Sequence, residues 1–237
     1  MADLHIHTCL SPCGELDMTP KRIMEKAREL GIDMVAVSDH NSAENLVFAA
    51  EAARTRGIAF LPAMEITSSE EAHVLAVFET PADAAAMQEK VYRGLPEGEN
   101  NERLWGEQVI VNAEDEVMGF NTRLLIGSTG LTLKKIVDEV HALGGLAIAS
   151  HIDREAFSVL SQLGFVPDDV SFDAFEIVNR EKRPGGLPRG VPFLCSSDAH
   201  RLEDIGKRTT RFLLESACFA ELKMALKGQN GRKCLEA

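Results

Sequence analysis

The chain has 237 residues, 45% of them apolar, and a formal net charge of −12. That apolar content supports a sizeable core in one large or two small domains. The acidity argues against a general nucleic-acid binder, which is normally basic, and without an 18-residue apolar run no membrane span is expected.

Short apolar runs alternate with helical stretches along the chain. Leu4–His7 reads as a first strand, Pro20–Leu30 as a helix closed by Gly31, and Met34–Ser38 as a second strand. Ala43–Arg56 reads as a helix closed by Gly57, followed by strands at Ala59–Met64 and Val74–Phe78. A long insertion from about Tyr92 to Thr132 breaks this rhythm. Within it, Gln108–Val111 and Val117–Phe120 flank the acidic stretch Asn112–Glu116, the pattern of a β-hairpin. Following the fourth strand, it is expected at the same mouth as the polar clusters described below, as a lid or a surface hairpin. Leu133–Leu143 reads as a helix closed by Gly144, Leu146–Ser150 as a strand and Glu155–Leu163 as a helix. Ala174–Val178 and Phe193–Ser196 complete seven strands. Strands apolar on consecutive residues suit a parallel sheet covered by helices, so repeated βα units imply an α/β fold, an open parallel sheet or a barrel. Residues 1–237 are expected to form one domain carrying the insertion at about 92–132. The cysteines at 9, 13, 195, 218 and 234 are odd in number and irregularly spaced, as expected for reduced thiols in a cytoplasm. Asp3 and His5 follow the first residue so closely that a signal peptide is not expected there.

The histidines carry the chemical signal. His5 and His7 are one residue apart on a strand, so both imidazoles are expected on one face, with Asp3 on that face able to orient a ring. Asp39-His40 follows the second strand, Glu65 ends the third, His73 opens the fourth, His151 ends the fifth, and Asp198-Ala199-His200 follows the last. Each alone reads as a turn cap or a satisfied core residue; together they would need a separate coincidence at every strand end. Imidazole and carboxylate are the usual ligands of Zn, Mn and Fe. His5, His7, His40, Glu65, His73, His151, Asp198 and His200 are eight candidates, where one zinc ion takes three or four. Two or three divalent ions with a bridging carboxylate are therefore expected. His141 lies near the C-terminus of a helix, where a cation is favourable, and reads as structural.

These residues resemble the polymerase and histidinol phosphatase (PHP) superfamily. Its motifs, His-x-His, Asp-His, a histidine at a strand end and Asp-x-His, match His5-Ile6-His7, Asp39-His40, His151 and Asp198-Ala199-His200 in order. The resemblance implies a distorted seven-stranded β/α barrel, a trinuclear metal centre at the C-terminal ends of the strands, and phosphoester hydrolysis. It implies one ion on His5, His7, Glu65 and Asp198, a second sharing Glu65 and adding His73 and His151, and a third on His40, His200 and a ligand from the loop after the first strand. In that loop Pro12 follows Ser11, where the family commonly has Asp; Asp17 is preferred, ahead of Cys13, with Glu15 the remaining candidate. Glu65, Asp198 and His200 are expected at the reacting centre.

A phosphorylated substrate also needs cationic partners. Arg154 lies three residues after His151, and Arg201 directly follows His200. Arg180 begins a basic loop with Lys182, Arg183 and Arg189. Guanidinium groups bind phosphate in a fork. The leading expectation is hydrolysis of a small phosphorylated metabolite or nucleotide, without stable nucleic-acid binding. A metal-dependent amidohydrolase, an oligonucleotide-trimming phosphodiesterase and a non-catalytic metal-binding domain are the alternatives.

Overall fold

A computed structural model describes residues 1–181 and 183–236. In chain order the elements are β1 (Ala2–Ile6), α1 (Pro20–Glu29), β2 (Met34–Val37), α2 (Leu46–Arg56), β3 (Ala59–Thr67), β4 (His73–Val77), α3 (Pro81–Gly94), the one-turn α4 (Glu102–Trp105), β5 (Val109–Val111), β6 (Val117–Phe120), α5 (Leu133–Ala142), β7 (Leu146–Ala149), α6 (Val159–Leu163), β8 (Ala174–Glu176), β9 (Phe193–Leu194), β10 (Arg211–Leu213), α7 (Phe219–Leu226) and β11 (Lys233–Glu236).

Seven strands form one sheet in the order β1-β2-β3-β4-β7-β8-β9. The sheet curls until its edges meet: Ile6 bridges Ala199, and the His7 N–H donates to the Ala199 carbonyl at 2.9 Å. The architecture is the expected α/β barrel type, but the sheet is not uniformly parallel. β4 runs antiparallel to both β3 and β7.

That reversal explains why a ligand-type residue opens β4 when others end their strands. The first residue of a reversed strand lies level with the last residues of its neighbours, and His73 stands opposite Thr67 in the ladder. Side chains alternate across a sheet, so Leu61, Ala63 and Glu65 on β3, His73, Leu75 and Val77 on β4, and Ala174 and Glu176 on β8 each share one face. The apolar members join Ala2, Leu4, Met34, Ala36, Leu146, Ile148 and Leu194 in an inner core, where Phe219, Leu222 and Leu226 of α7 also sit. The inner face is therefore apolar towards α7 and polar at the opposite end. The outer face packs Val35, Val37, Met64 and Ile66 against helical residues such as Ile23, Ala49, Met87 and Ile136 in a second, larger core.

The insertion contains the expected hairpin, β5 pairing antiparallel with β6. Its location has a different cause from the one expected. Because β4 is reversed, it ends away from the polar mouth, and α3 carries the chain back. α3 has sequence signals of its own, Pro81 in the first turn and a reciprocal Thr80–Asp83 capping box. The hairpin is then tied to the mouth loops. The Val109 N–H donates to Cys9 O at 2.9 Å, and the Asn45 side chain bridges to Val109 O and Val111 N. Asn41 Nδ2 donates to the carbonyls of Leu125 and Gly127 at 2.8 and 2.9 Å. The helix expected from Glu155 starts only at Val159, because Phe157 is in the left-handed region (φ 55°) and Ser158 caps the helix.

Candidate metal centre

The polar end of the barrel gathers six of the seven histidines around two carboxylates, Glu65 and Asp198. Glu65 lies 3.3 Å from His5 Nε2, 3.4 Å from His7 Nε2, 3.3 Å from His40 Nδ1, 3.0 Å from His73 Nδ1 and 3.1 Å from His151 Nε2. Asp198 lies 3.1 Å from His7 Nε2 and 3.4 Å from His5 Nε2. The His200 ring stacks on that of His7, their centroids 4.2 Å apart.

Three groups of donor atoms converge closely enough to hold an ion: His5, His7, Glu65 and Asp198; His40, Glu65 and His73; and His7, His40 and His200. His5 Nε2, His40 Nδ1, His73 Nδ1 and His151 Nδ1 are buried without a hydrogen-bond partner. Buried polar atoms are normally satisfied, so bare ring nitrogens gathered around buried carboxylates have the chemistry of a cation-binding cluster. The residues fit divalent ions.

The backbone supports the same reading. Asn41, His151 and Asp198 have φ of 51°, 27° and 52°. Non-glycine residues enter the left-handed region at a cost and only where the surroundings hold them. Here those residues are, or adjoin, the donors.

Two carboxylates orient the rings from behind. Asp39 accepts from Thr8 N, Thr8 Oγ1 and Ser11 Oγ, each at 2.7 Å, and Ser11 Oγ lies 2.9 Å from His7 Nδ1. Glu176 is missing from the residues singled out in the sequence. Its Oε2 lies 2.9 Å from His5 Nδ1 and accepts the His151 backbone N–H at 3.1 Å, so one carboxylate ties β1 to the turn after β7. Its signal is visible in retrospect, a buried acid at the end of an apolar strand, two residues on from Ala174. Glu176 does what was expected of Asp3. The β1–β2 register shifts between Asp3 and Ile6, which breaks the alternation, and the Asp3 carboxylate instead accepts the N–H groups of Ser197 and Gly206.

Charges in the cluster shift each other. Burial by itself would lower the His5 pKa, but Glu176, Glu65 and Asp198 raise it well above the usual value. Burial and the neighbouring His7 push His40 well below it. Glu65, despite its burial, is held far below the carboxylate range by His73 and His5.

The other expected residues are placed as follows. Arg154 donates to Asp198 Oδ2 at 2.6 Å and lines a cavity of about 470 Å³ with His40, Glu65, His73, His151 and His200. Three others are not brought into that cavity. Asp17 pairs with Arg22 at 3.1 Å and is in none of the converging donor groups found among the described residues. Arg201 pairs with Glu15 at 3.1 Å and is largely exposed. Arg180 donates to the Thr209 carbonyl. Cys13 is exposed on the loop after β1. Lys182 lies outside the described residues. His141 lies 2.8 Å from Asp173, remote from the cluster. His141→Asn is expected to leave turnover largely intact, and a large loss would assign it a role here.

A family model described as PHP domain matches residues 3–156, and a second, PHP-associated, matches 188–230. The chain belongs to the PHP domain family, a class of metal-dependent hydrolases. An uncharacterized Bacillus subtilis protein, YqxK, is 28% identical over 270 residues, covering 99% of this chain and 63% of that protein. The lesion-specific endonuclease PfuEndoQ of Pyrococcus furiosus superposes with a TM-score of 0.73 at 21% identity, covering 99% of this chain and 57% of that one. A Bifidobacterium adolescentis protein assigned as a metal-dependent phosphoesterase superposes with a TM-score of 0.58 at 20% identity, covering 88% of this chain and 91% of that one. The chain thus spans less than two thirds of YqxK and of PfuEndoQ. No helix among the described residues is long and apolar enough to cross a membrane.

Glu176 offers a direct test of the cluster's purpose. A carboxylate behind a metal-bound histidine fixes its tautomer, and its loss typically costs about 10- to 100-fold in metal affinity. Glu176→Gln is expected to weaken binding of the tightest ion by that much in a chelator competition; unchanged affinity would make Glu176 merely structural.

Proposed function

We propose that this chain, acting as one domain, hydrolyses a phosphoester of a small phosphorylated metabolite or nucleotide with two or three divalent ions, Mn, Zn or Fe. The observation that carries the reading is the single buried carboxylate of Glu65 within 3.0–3.4 Å of five imidazoles. A carboxylate so placed suits a bridge between ions. His5, His7, Glu65 and Asp198 would hold one ion. Glu65, His73 and His151, with His40 beside them, would hold the second. His40 and His200 would hold a third, with His7 as the neighbouring donor in place of Asp17. Bound divalent ions supply Lewis acidity to phosphoryl oxygens and acidify water near neutral pH.

The chain's own residues do the rest. Glu65 and Asp198 provide the negative charge that the ions require. Glu176 and Asp39, through Ser11, keep His5 and His7 in one orientation. Arg154 lines the cavity and is paired with Asp198 through one guanidinium nitrogen, and its other donors would be the ones offered to a phosphoryl group. Its planar fork suits two phosphoryl oxygens at once. The five cysteines are all free, which fits a reducing compartment such as the cytoplasm.

A screen of phosphorylated metabolites against the Mn-, Zn- and Fe-loaded protein tests the proposal. Arg154→Ala is expected to lower kcat/KM on the best ester by roughly ten- to a hundredfold, since a hydrogen bond to a charged group is worth about 1.5–3 kcal/mol. Lysine should recover only part of that. Inorganic phosphate should compete with substrate and do so less well in the variant. If phosphate does not inhibit and unphosphorylated amides react faster than any ester, the chain is an amidohydrolase.

A phosphodiester substrate is the second reading. It is favoured by the superposition over 99% of the chain on endonuclease Q, whose complex holds a 27-mer duplex with an abasic lesion at the active site. The net charge of −12 opposes tight binding of a long polyanion. Hydrolysis of DNA in preference to every small ester would decide for it.

A further inference from the structure

We propose that Phe157 is a stacking platform that selects phosphate esters carrying a flat aromatic group, a nucleobase above all; this rests on the phosphoesterase reading. Phe157 lines the cavity beside Ile126 and Ala156. One face of its ring lies on His73, with centroids 4.8 Å apart and planes 18° from parallel. The residue is nevertheless 44% exposed, so part of an aromatic side chain is left open in a pocket that also holds the metal-type side chains.

Its position is held rather than incidental. A bulky residue with positive φ is a genuine outlier, and Phe157 has φ 55°. The conformation is fixed at both ends of a short turn. The His73 N–H donates to Phe157 O at 2.9 Å, and the neighbouring Ser158 Oγ donates to Arg154 O at 2.9 Å. The Arg154 N–H in turn donates to His151 O at 2.9 Å. A guanidinium and an aromatic face are thus carried three residues apart on one anchored turn, the first suited to a phosphoryl group and the second to a planar ring. The cavity volume of about 470 Å³ falls within the usual range for small-molecule sites, about 300–1,000 Å³, and admits more than a bare phosphate. A sugar phosphate without a base would leave the ring face bare, whereas a nucleobase would cover it whatever its sequence identity, because every base has a π-face.

The test compares adenosine 5′-monophosphate and 3′-monophosphate with ribose 5-phosphate, using metal-reconstituted wild type, Phe157→Leu and Phe157→Trp. Base stacking on an aromatic side chain is strong enough that its loss should lower the ratio of kcat/KM for the better nucleotide over the sugar phosphate roughly tenfold or more in the leucine variant. The change should lie mainly in KM, and tryptophan should restore it. Metal content should match wild type in both variants. An unchanged ratio, or a fall in metal content that lowers both activities together, would show that the ring only shields His73. If no ester is hydrolysed by wild type, the phosphoesterase reading fails by itself. Calorimetric binding of the nucleotide and the sugar phosphate then decides the platform: equal affinities of wild type and Phe157→Leu for the nucleotide overturn it.

Discussion

Replacing Glu65 by glutamine is expected to lower turnover at least about a thousandfold, since removing a principal electrostatic element of a site can cost 10² to 10³ or more. The substitution keeps the shape and removes one negative charge that five imidazoles surround at 3.0–3.4 Å. Two consequences separate a bridging role from a general loss of fold. Bound metal should fall by at least one equivalent. Circular dichroism and the unfolding transition should remain those of a folded barrel, because the apolar inner core below Glu65 is untouched. Near-normal turnover with full metal content would show that Glu65 is not a bridge.

The second large effect is that of the metals. Chelation is expected to abolish hydrolysis, and reconstitution with Mn or Zn to restore it with two to three equivalents bound. A stoichiometry of one or below after reconstitution would sink the trinuclear arrangement. The ligand histidines must lose protons to bind metal, and this gives a readout independent of activity. Burial tends to lower the His7 pKa, but its bonds to Asp198 and Glu65 outweigh burial and raise it from 6.5 to about 9 in the metal-free protein. Metal binding at pH 7 should therefore release protons, seen as a dependence of the calorimetric heat on the buffer's ionisation enthalpy. The same shift makes stability pH-dependent. A group with its folded pKa raised contributes stability that is complete below pH 6.5 and is lost as pH rises through about 9. His200 acts in the opposite sense. Burial and the nearby His7 lower its pKa to about 4, so stability is lost as pH falls from 6.5 through 4. The melting temperature of the metal-free protein should decline as pH rises from 6.5 through about 9. A flat profile from pH 6.5 to 9 would mean that His7 is not held by those carboxylates.

How much of this site was legible in the sequence depends on which residues the local pattern controls. His5 and His7 point into one cluster because a strand presents alternate residues on one face, even though a register shift separates them from Asp3. Glu65, His151, Asp198 and His200 were recognisable from polar residues at the ends of apolar strands. The helix over Leu133–Ala142, the strand over Leu146–Ala149 and the hairpin in the insertion follow from period and turn chemistry alone. α3 has equally local signals, the proline and the capping box.

The remaining features depend on contacts distant in the chain, which no local pattern records. β4 is reversed because of its partners, β3 and β7, while its own sequence, His73–Val77, is as apolar as a parallel strand. Glu176 is 171 residues from His5 and meets it only when β8 closes on the curled sheet. Asp17 and Arg201 looked suited to the mouth by position, yet each pairs with an opposite charge nearby, Arg22 and Glu15, and neither lines the cavity. Residue types and strand periodicity by themselves determined an α/β fold with a metal-type end to its strands, and the barrel was implied by the resemblance to the PHP superfamily. Tertiary structure alone decided which carboxylates orient the rings, which arginine reaches the cavity and what covers His73, because those choices rest on long-range packing and charge pairing that the order of residues does not express.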